Sequence, residues 1–321
     1  MKNYYIGIDL GGTNIKYGMV SSKGRIVTKG SLPSKANLGK KIIISNIKKA
    51  IESLLLYAKR KKLKIKGIGI GCPGTVDFEK GVIMDMVPNV PQLKNTNIKA
   101  ELKKDFGYPL LVDNDANLMA LAEHNLGAAK GYKNCLCLTV GTGIGSGIII
   151  CGELFRGASF AGAEFGHTSI DYDGIKCECG NIGCVEAYAS ARAMVKKARK
   201  LLGKNKRSLL YKMVNGDIYK ISTKRIFDSW KKKDKLCTDI VNDTCVYLGT
   251  AISSAVNLLN PEVVVIGGGV ADAGMKFVRK IERETKRRAN PVASKNLKMV
   301  KAKLGNDAGF IGAALLVRLC L

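Results

Sequence analysis

Twice in this chain an apolar strand runs into a glycine-rich turn and emerges as a second strand: YYIGIDLGGTNIKYGMV near the start, and CLCLTVGTGIGSGIIICGELFRG from residue 135. Alternation and β-branched residues mark both as strand pairs. A third strand, GRIVTKGSL, continues the first pair, giving an antiparallel start. The spacing then predicts a helix from about Leu38 to Lys62, with Ile43, Ile47, Ile51, Leu54 and Leu55 on one buried face. Further on, KGIGIGCPGTVD reads as a buried strand, PLLVDNDANLMALAEHNLGAA as a strand running into a helix, and NPEVVVIGGGVADAG as a strand opening on three glycines. VEAYASARAMVKKARKLL, TDIVNDTCVYLGTAISSAVNLL and GNDAGFIGAALLVRL read as helices. The order is α/β, with a coarse structural echo between its halves. At 321 residues the chain exceeds the usual size of a single core, so two domains are expected.

The glycine turns suit phosphate. In Asp9-Leu10-Gly11-Gly12-Thr13-Asn14 the glycines let backbone N–H groups approach an anion, and the Thr13 hydroxyl adds a donor. Asp9 can hold a magnesium ion through waters, and Lys16 follows on the next strand. Thr142 and Gly143 repeat the device in the second turn, and Gly268 and Gly269 lie at a strand-to-helix junction. A tight hairpin alone would also explain one such turn; three after strands are more informative. No Gly-Lys-Ser/Thr follows, so this is not the Walker pattern, nor do the glycines open a helix as in a dinucleotide fingerprint.

One further segment, EFGHTSIDYDGIKCECGNIGCVE, gathers a histidine and three of the ten cysteines between Glu164 and Glu186. Cys177, Cys179, Cys184 and His167 form the Cys3His donor set of a closed, structural zinc site. These cysteines sit among Gly, Asn, Lys and Glu, where burial as small hydrophobes makes little sense. The other seven lie in or beside apolar runs, where that reading fits. A disulfide is the remaining alternative, but no signal peptide precedes the first strand, and no apolar run reaches the length of a membrane span. A cytoplasmic protein is expected.

The formal net charge of +27 raises the question of nucleic acid. The lysines are dispersed along the polar faces and ends of amphipathic helices, and the aromatic residues, 6% of the chain, do not interleave with them. The chain is already in a strand by Tyr4, with no helix-turn-helix ahead of it. No specific nucleic-acid partner is expected.

Three glycine sites with an Asn-Asp pair between the first two resemble the sugar kinase, heat-shock ATPase and actin superfamily. The metal segment narrows the likeness. DLGGTNIK, GCPGTVD, PNV, VDNDAN, TVGTGIGSGI, GAEFGH, CECGNIGCVEAYAS and VVVIGGGVA together resemble the ROK family (repressors, open reading frames and sugar kinases), and within it the bacterial glucokinases. The resemblance implies a two-domain actin-like ATPase (ribonuclease H-like) fold with an interdomain cleft and a structural zinc site. The small domain would comprise residues 1–115 plus about 305–321, the large domain 116–304. It implies dimers or tetramers, with ATP as the usual phosphoryl donor.

A sugar kinase needs one carboxylate on the attacking hydroxyl and cations on the phosphates. Asp115, at a strand-to-helix corner, is the candidate base, and the resemblance implies the same; an Asp there could instead cap the helix, as could Asp113 or Asn114. By resemblance Asn114, Glu164, His167 and Glu186 contact the sugar hydroxyls with Asp115, and His167 turns one ring nitrogen to zinc and the other to sugar. Asn89 is a further sugar contact or a turn residue. His124 and Glu123 read as helix end and helix surface, without chemistry. The expected reaction is MgATP-dependent phosphorylation of an aldohexose at O6, glucose first. N-acetylmannosamine or N-acetylglucosamine and then fructose are the alternatives, with a sugar-responsive repressor as a different class.

Overall fold

The computed structural model describes residues 3–85 and 90–321. From the N-terminus, β1 (Asn3–Leu10), β2 (Asn14–Ser21) and β3 (Ile26–Pro33) form the expected antiparallel meander, with Gly7 opposite Gly18 and Lys16 opposite Ser31. α1 (Lys40–Arg60) leads to β4 (Lys64–Cys72), which pairs parallel with β1. β5 (Thr75–Asp77), β6 (Val82–Asp85) and β7 (Thr96–Asn97) make a small antiparallel sheet. α2 (Ile98–Lys103) then precedes β8 (Leu110–Asn114), which adds in parallel beside β4 and runs directly into α3 (Asp115–Leu126). The main sheet therefore has the order β3-β2-β1-β4-β8.

Next come β9 (Cys135–Val140), β10 (Ile144–Ile150) and β11 (Glu153–Phe155), with Ile148 of β10 opposite Phe155 of β11. Helices dominate thereafter: α4 (Val185–Ala189), α5 (Ala191–Leu202), α6 (Leu209–Met213), α7 (Thr223–Lys231) and α8 (Lys235–Leu259). β12 (Val263–Gly267) follows, then α9 (Met275–Lys286), α10 (Pro291–Lys295), β13 (Lys298–Lys301) and the closing α11 (Ala308–Cys320). β12 lies parallel to both β9 and β13.

The chain divides into two compact units. The first comprises Met1–Gly131, Gly147–Ala163 and Lys303–Leu321; the second comprises Tyr132–Ser146 and Glu164–Ala302. α3 packs against α11 and so falls in the first unit rather than opening the second. In the first unit Ile6, Ile8, Ile68 and Ile70 join Ile43, Ile47 and Ile51 of α1 in one buried cluster. Each such isoleucine contributes about 1.5–3 kcal/mol over an exposed one. On the alternate positions of β1 and β4, a Cβ at Gly7 or Gly69 would run into the α11 carbonyls of Phe310 and Ala313. The absent side chains let α11 lie directly on the sheet. In the second unit α5, α7 and α9 pack on α8, and Phe227 meets Trp230 and Phe277 edge to face.

Two helical expectations are corrected. VEAYASARAMVKKARKLL is two helices, because Ser190 is extended (ψ 162°) and its hydroxyl caps α5 by accepting the Ala193 N–H. After β12 the chain makes a 3₁₀ turn over Gly269–Ala273 before α9 begins. No helix among the described residues is long and apolar enough to cross a membrane.

Candidate functional site

In the first unit the corner between β8 and α3 carries Asp113, Asn114 and Asp115. Which of them caps α3 is decided by the backbone. Asn114 is extended (φ −63°, ψ 141°), and its Oδ1 accepts from the N–H groups of Ala116 (2.9 Å) and Asn117 (3.1 Å). Its amide donates to the Gly74 carbonyl, tying the corner to the turn after β4. Asp115 is therefore the first helical residue, not the cap, and its Oδ1 accepts the N–H of its neighbour Ala116 at 2.8 Å. A negative charge in the first turn is favoured by the helix dipole.

Asp113, 1% exposed, points the other way. Its Oδ1 accepts from Asn114 N–H and the Asn117 amide, and its Oδ2 accepts from Nε of Arg156 (2.9 Å) and forms an ion pair with Nη2 (2.7 Å). The Arg156 guanidinium also lies 4.0 Å over the Phe78 ring. Neither Arg156 nor this network was among the sequence candidates, since Arg156 stands 43 residues from Asp113 in the loop after β11.

The first glycine turn closes through Gly11 N–H to the Asn14 carbonyl (3.0 Å), while the Gly12 carbonyl accepts the Ser34 hydroxyl. Thr13 and Asn14 are exposed at its tip. Lys16 on β2 reaches toward Asn306. Burial pushes the Asp9 carboxyl above its ordinary range, and the Lys16 charge only partly opposes this. Burial, and after it the charges of Asp115, Asp9 and Asp113, drives the Cys72 thiol far above its usual value, so Cys72 is an inert core residue.

Glu123 corrects an expectation. It is fully buried, and its carboxylate accepts from the N–H groups of Ala128 (2.7 Å), Lys303 (3.1 Å) and Leu304 (2.8 Å). It anchors the end of α3 to the loop before α11 instead of lying on the helix surface. His124 lies in the last turn of α3, as expected.

In the second unit the turn containing Thr142 and Gly143 closes through Gly141 N–H to the Gly143 carbonyl. Glu186 on α4 accepts the Ile144 N–H at 2.6 Å, and a Cβ on Gly143 would press against that same carboxylate oxygen. One oxygen of Glu186 thus holds the glycine turn. Gly268 has φ +80° and ψ 172°, a conformation open essentially to glycine alone, and abuts the Val140 backbone at the end of β9. Gly269 has open space where a Cβ would be. Asn89, the remaining candidate, lies outside the described residues.

Glu164 and His167 flank a 3₁₀ turn over Phe165–His167, with His167 N–H donating to the Glu164 carbonyl. Burial raises the Glu164 carboxyl above its ordinary range; the Glu186 charge adds to this and His167 opposes it. The donor atoms of His167, Cys177, Cys179 and Cys184 all lie within 4.8 Å of one another. Cys179 Sγ and Cys184 Sγ are 3.7 Å apart, and Cys177 Sγ lies 3.9 Å from His167 Nδ1. Two thiolates each about 2.3 Å from a tetrahedral zinc would stand about 3.8 Å apart. Burial first, and the neighbouring cysteines after it, push Cys184 up to about 12 and raise Cys177. Three thiolates in this place call for a cation, so the donor set fits a divalent metal. Tyr188 steadies the loop from α4, its hydroxyl accepting the Ile175 N–H and donating to Asp171. Glu178 pairs with Arg192 of α5.

Comparison with known proteins agrees with this geometry. The ROK family pattern matches residues 5–319. The glucokinase of Halalkalibacterium halodurans is 36% identical over 317 residues, covering 98% of this chain and 95% of that protein. The xylose repressor of Caldicellulosiruptor bescii is 31% identical over 97% of this chain and 77% of its own length. A ROK family glucokinase from Streptomyces griseus, solved in complex with glucose and AMPPNP, superposes with a TM-score of 0.83 at 30% identity, covering 98% of this chain and 99% of that one. The chain belongs to the ROK family, with an α/β fold and mixed sheets consistent with its sugar kinases.

Proposed function

We propose that the protein transfers the γ-phosphoryl group of ATP to O6 of an aldohexose, glucose before others, with Asp115 as general base. The observation that carries this is the division of labour at the β8–α3 corner. Asn114 caps the helix, so Asp115 is not needed for that purpose and offers a carboxylate for the attacking hydroxyl. The S. griseus glucokinase in complex with glucose and AMPPNP supports both ligands.

Asp115 accepts the O6 proton as that oxygen attacks the γ-phosphorus, a step for which a positioned base contributes about 10²–10⁴-fold. In the first unit the Gly11–Gly12 turn, with Thr13, Asn14 and Lys16 beside it, is suited to bind phosphate; in the second the Thr142–Gly143 turn, Gly268 and Gly269 are suited to bind nucleotide. Beside Asp115, the second N–H of the Asn114 amide is suited to a sugar hydroxyl; in the second unit Glu164, Glu186 and the Nε2 of His167 are candidate hydroxyl partners. Magnesium near Asp9 supplies charge neutralisation on the phosphates when bound. Zinc on Cys177, Cys179, Cys184 and His167 Nδ1 would act structurally, fixing His167 beside Glu164 and α4.

The test is ADP release over glucose, N-acetylmannosamine, N-acetylglucosamine and fructose. Glucose should give the highest kcat/KM. A glucose value below about a tenth of the best, about 1.4 kcal/mol of discrimination, contradicts the choice of sugar but not of reaction. A sugar-responsive repressor is the second reading, favoured by the xylose repressor's 31% identity and the +27 charge. Tight, sequence-selective DNA retention in a mobility-shift assay would support it.

A further inference from the structure

The mechanism above uses Asp115 and leaves unexplained why an arginine from a distant loop is brought to the residue two places before it. Asp113 is a carboxylate engaged on both oxygens: Arg156 on Oδ2, through an Nε–H bond and an Nη2 ion pair, and Asn114 N–H and the Asn117 amide on Oδ1. Each of these bonds fixes something at the corner. The Asn114 N–H sets the extended backbone that makes Asn114 the cap. The Asn117 amide holds the next turn of α3, one turn beyond the cap. Arg156 supplies the positive charge, because Asp113 is 1% exposed and shares its surroundings with Asp9, Asp115 and Cys72. The Lys16 charge acts on Asp9. Phe78 under the guanidinium holds its plane.

We propose that Arg156 is a positioning residue for phosphoryl transfer: it keeps Asp113 aimed, and through Asp113 and the Asn114 backbone N–H it holds the Asp115 carboxylate in working orientation. The proposal rests on Asp115 as the base. A lysine replaces Arg156 only in part, since two nitrogens of one fork reach one oxygen while the plane of the guanidinium stacks on a ring. Without the cation, the negative charges of Asp113, Asp115 and Asp9 repel one another uncompensated, which disfavours the charged base.

The test compares Arg156→Met, Arg156→Lys, Asp113→Asn and the Met/Asn double variant with the wild type, using MgATP and the best hexose. Arg156→Met should lose at least tenfold in kcat with hexose KM within about threefold of wild type. The acid limb of its kcat/KM profile should move to higher pH. Arg156→Lys should recover only part of the rate, and the double variant should be no slower than the worse single one, because both act through the same contact. Should Arg156→Met not fold, Arg156→Lys decides: a reduced kcat with an unshifted KM supports the proposal, and a wild-type kcat overturns it. Losses that multiply in the double variant, or a rate loss with an unmoved acid limb, also overturn it. Asp115→Asn run in parallel separates the two levels. If Asp115→Asn keeps the wild-type rate, the base assignment fails and the proposal falls with it; if Asp115→Asn is inactive and Arg156→Met is not, the proposal alone fails.

Discussion

Replacing Glu123 by alanine measures how firmly the end of α3 is anchored. The carboxylate accepts three backbone N–H groups, at 2.7, 3.1 and 2.8 Å, from Ala128, Lys303 and Leu304. A hydrogen bond to a charged group contributes about 1.5–3 kcal/mol, and a buried donor left alone costs a similar amount. Lys303 is exposed, so water takes its place there, and Ala128 and Leu304 are left partly shielded. Two such bonds come to about 3–6 kcal/mol. Removing a buried charge returns part of its desolvation cost, leaving a net loss of about 3 kcal/mol. For a unit of this size each kcal/mol lowers Tm by roughly 2–4 °C, so Glu123→Ala should melt about 6–12 °C below the wild type in scanning calorimetry. Amide exchange at Leu304 should rise in step. A glutamate on the helix surface would move stability by no more than about 0.5 kcal/mol. A Tm change under 2 °C would refute the anchor.

Two further outcomes follow from the site. Burial holds the Asp9 carboxyl above its ordinary range, so the folded chain binds this proton more tightly than the unfolded one, and stability falls as pH rises from the ordinary carboxylate range through the folded value. Asp9→Asn should therefore raise Tm at neutral pH, by a margin that shrinks as pH is lowered toward about 4, while weakening MgATP binding; a margin independent of pH contradicts the assignment. Cys179→Ser should reduce zinc, measured by atomic absorption, from about one per chain to well below half, and should raise hexose KM about tenfold with ATP KM within twofold. Unaltered sugar affinity in metal-depleted protein would reduce the cluster to scaffold.

Much of this was legible in the sequence for reasons of range. The cysteine and histidine cluster, the glycine turns and α1 are written in short windows, where spacing alone brings the groups together. The capping choice at the β8–α3 corner was not legible, because Asp113, Asn114 and Asp115 are equally good cap residues until the backbone places ψ of Asn114 at 141°. Ser190 broke a helix that periodicity ran through, its hydroxyl competing for the backbone of the next turn. Glu123 and Arg156 were invisible for a different reason. Each takes its meaning from a partner brought close only by the fold, Leu304 at 181 residues in one case and Asp113 at 43 in the other.

The central claim is that Asp115 is the base of a hexose kinase, while Asn114 and not Asp115 caps the helix. Single-turnover phosphorylation of glucose from ATP by Asp115→Asn, beside its melting temperature, tests both halves. A rate lower by about 10²–10⁴-fold with Tm within about 2 °C of the wild type is the predicted result. A variant within tenfold of the wild-type rate, or one that loses activity only because it unfolds, would contradict it.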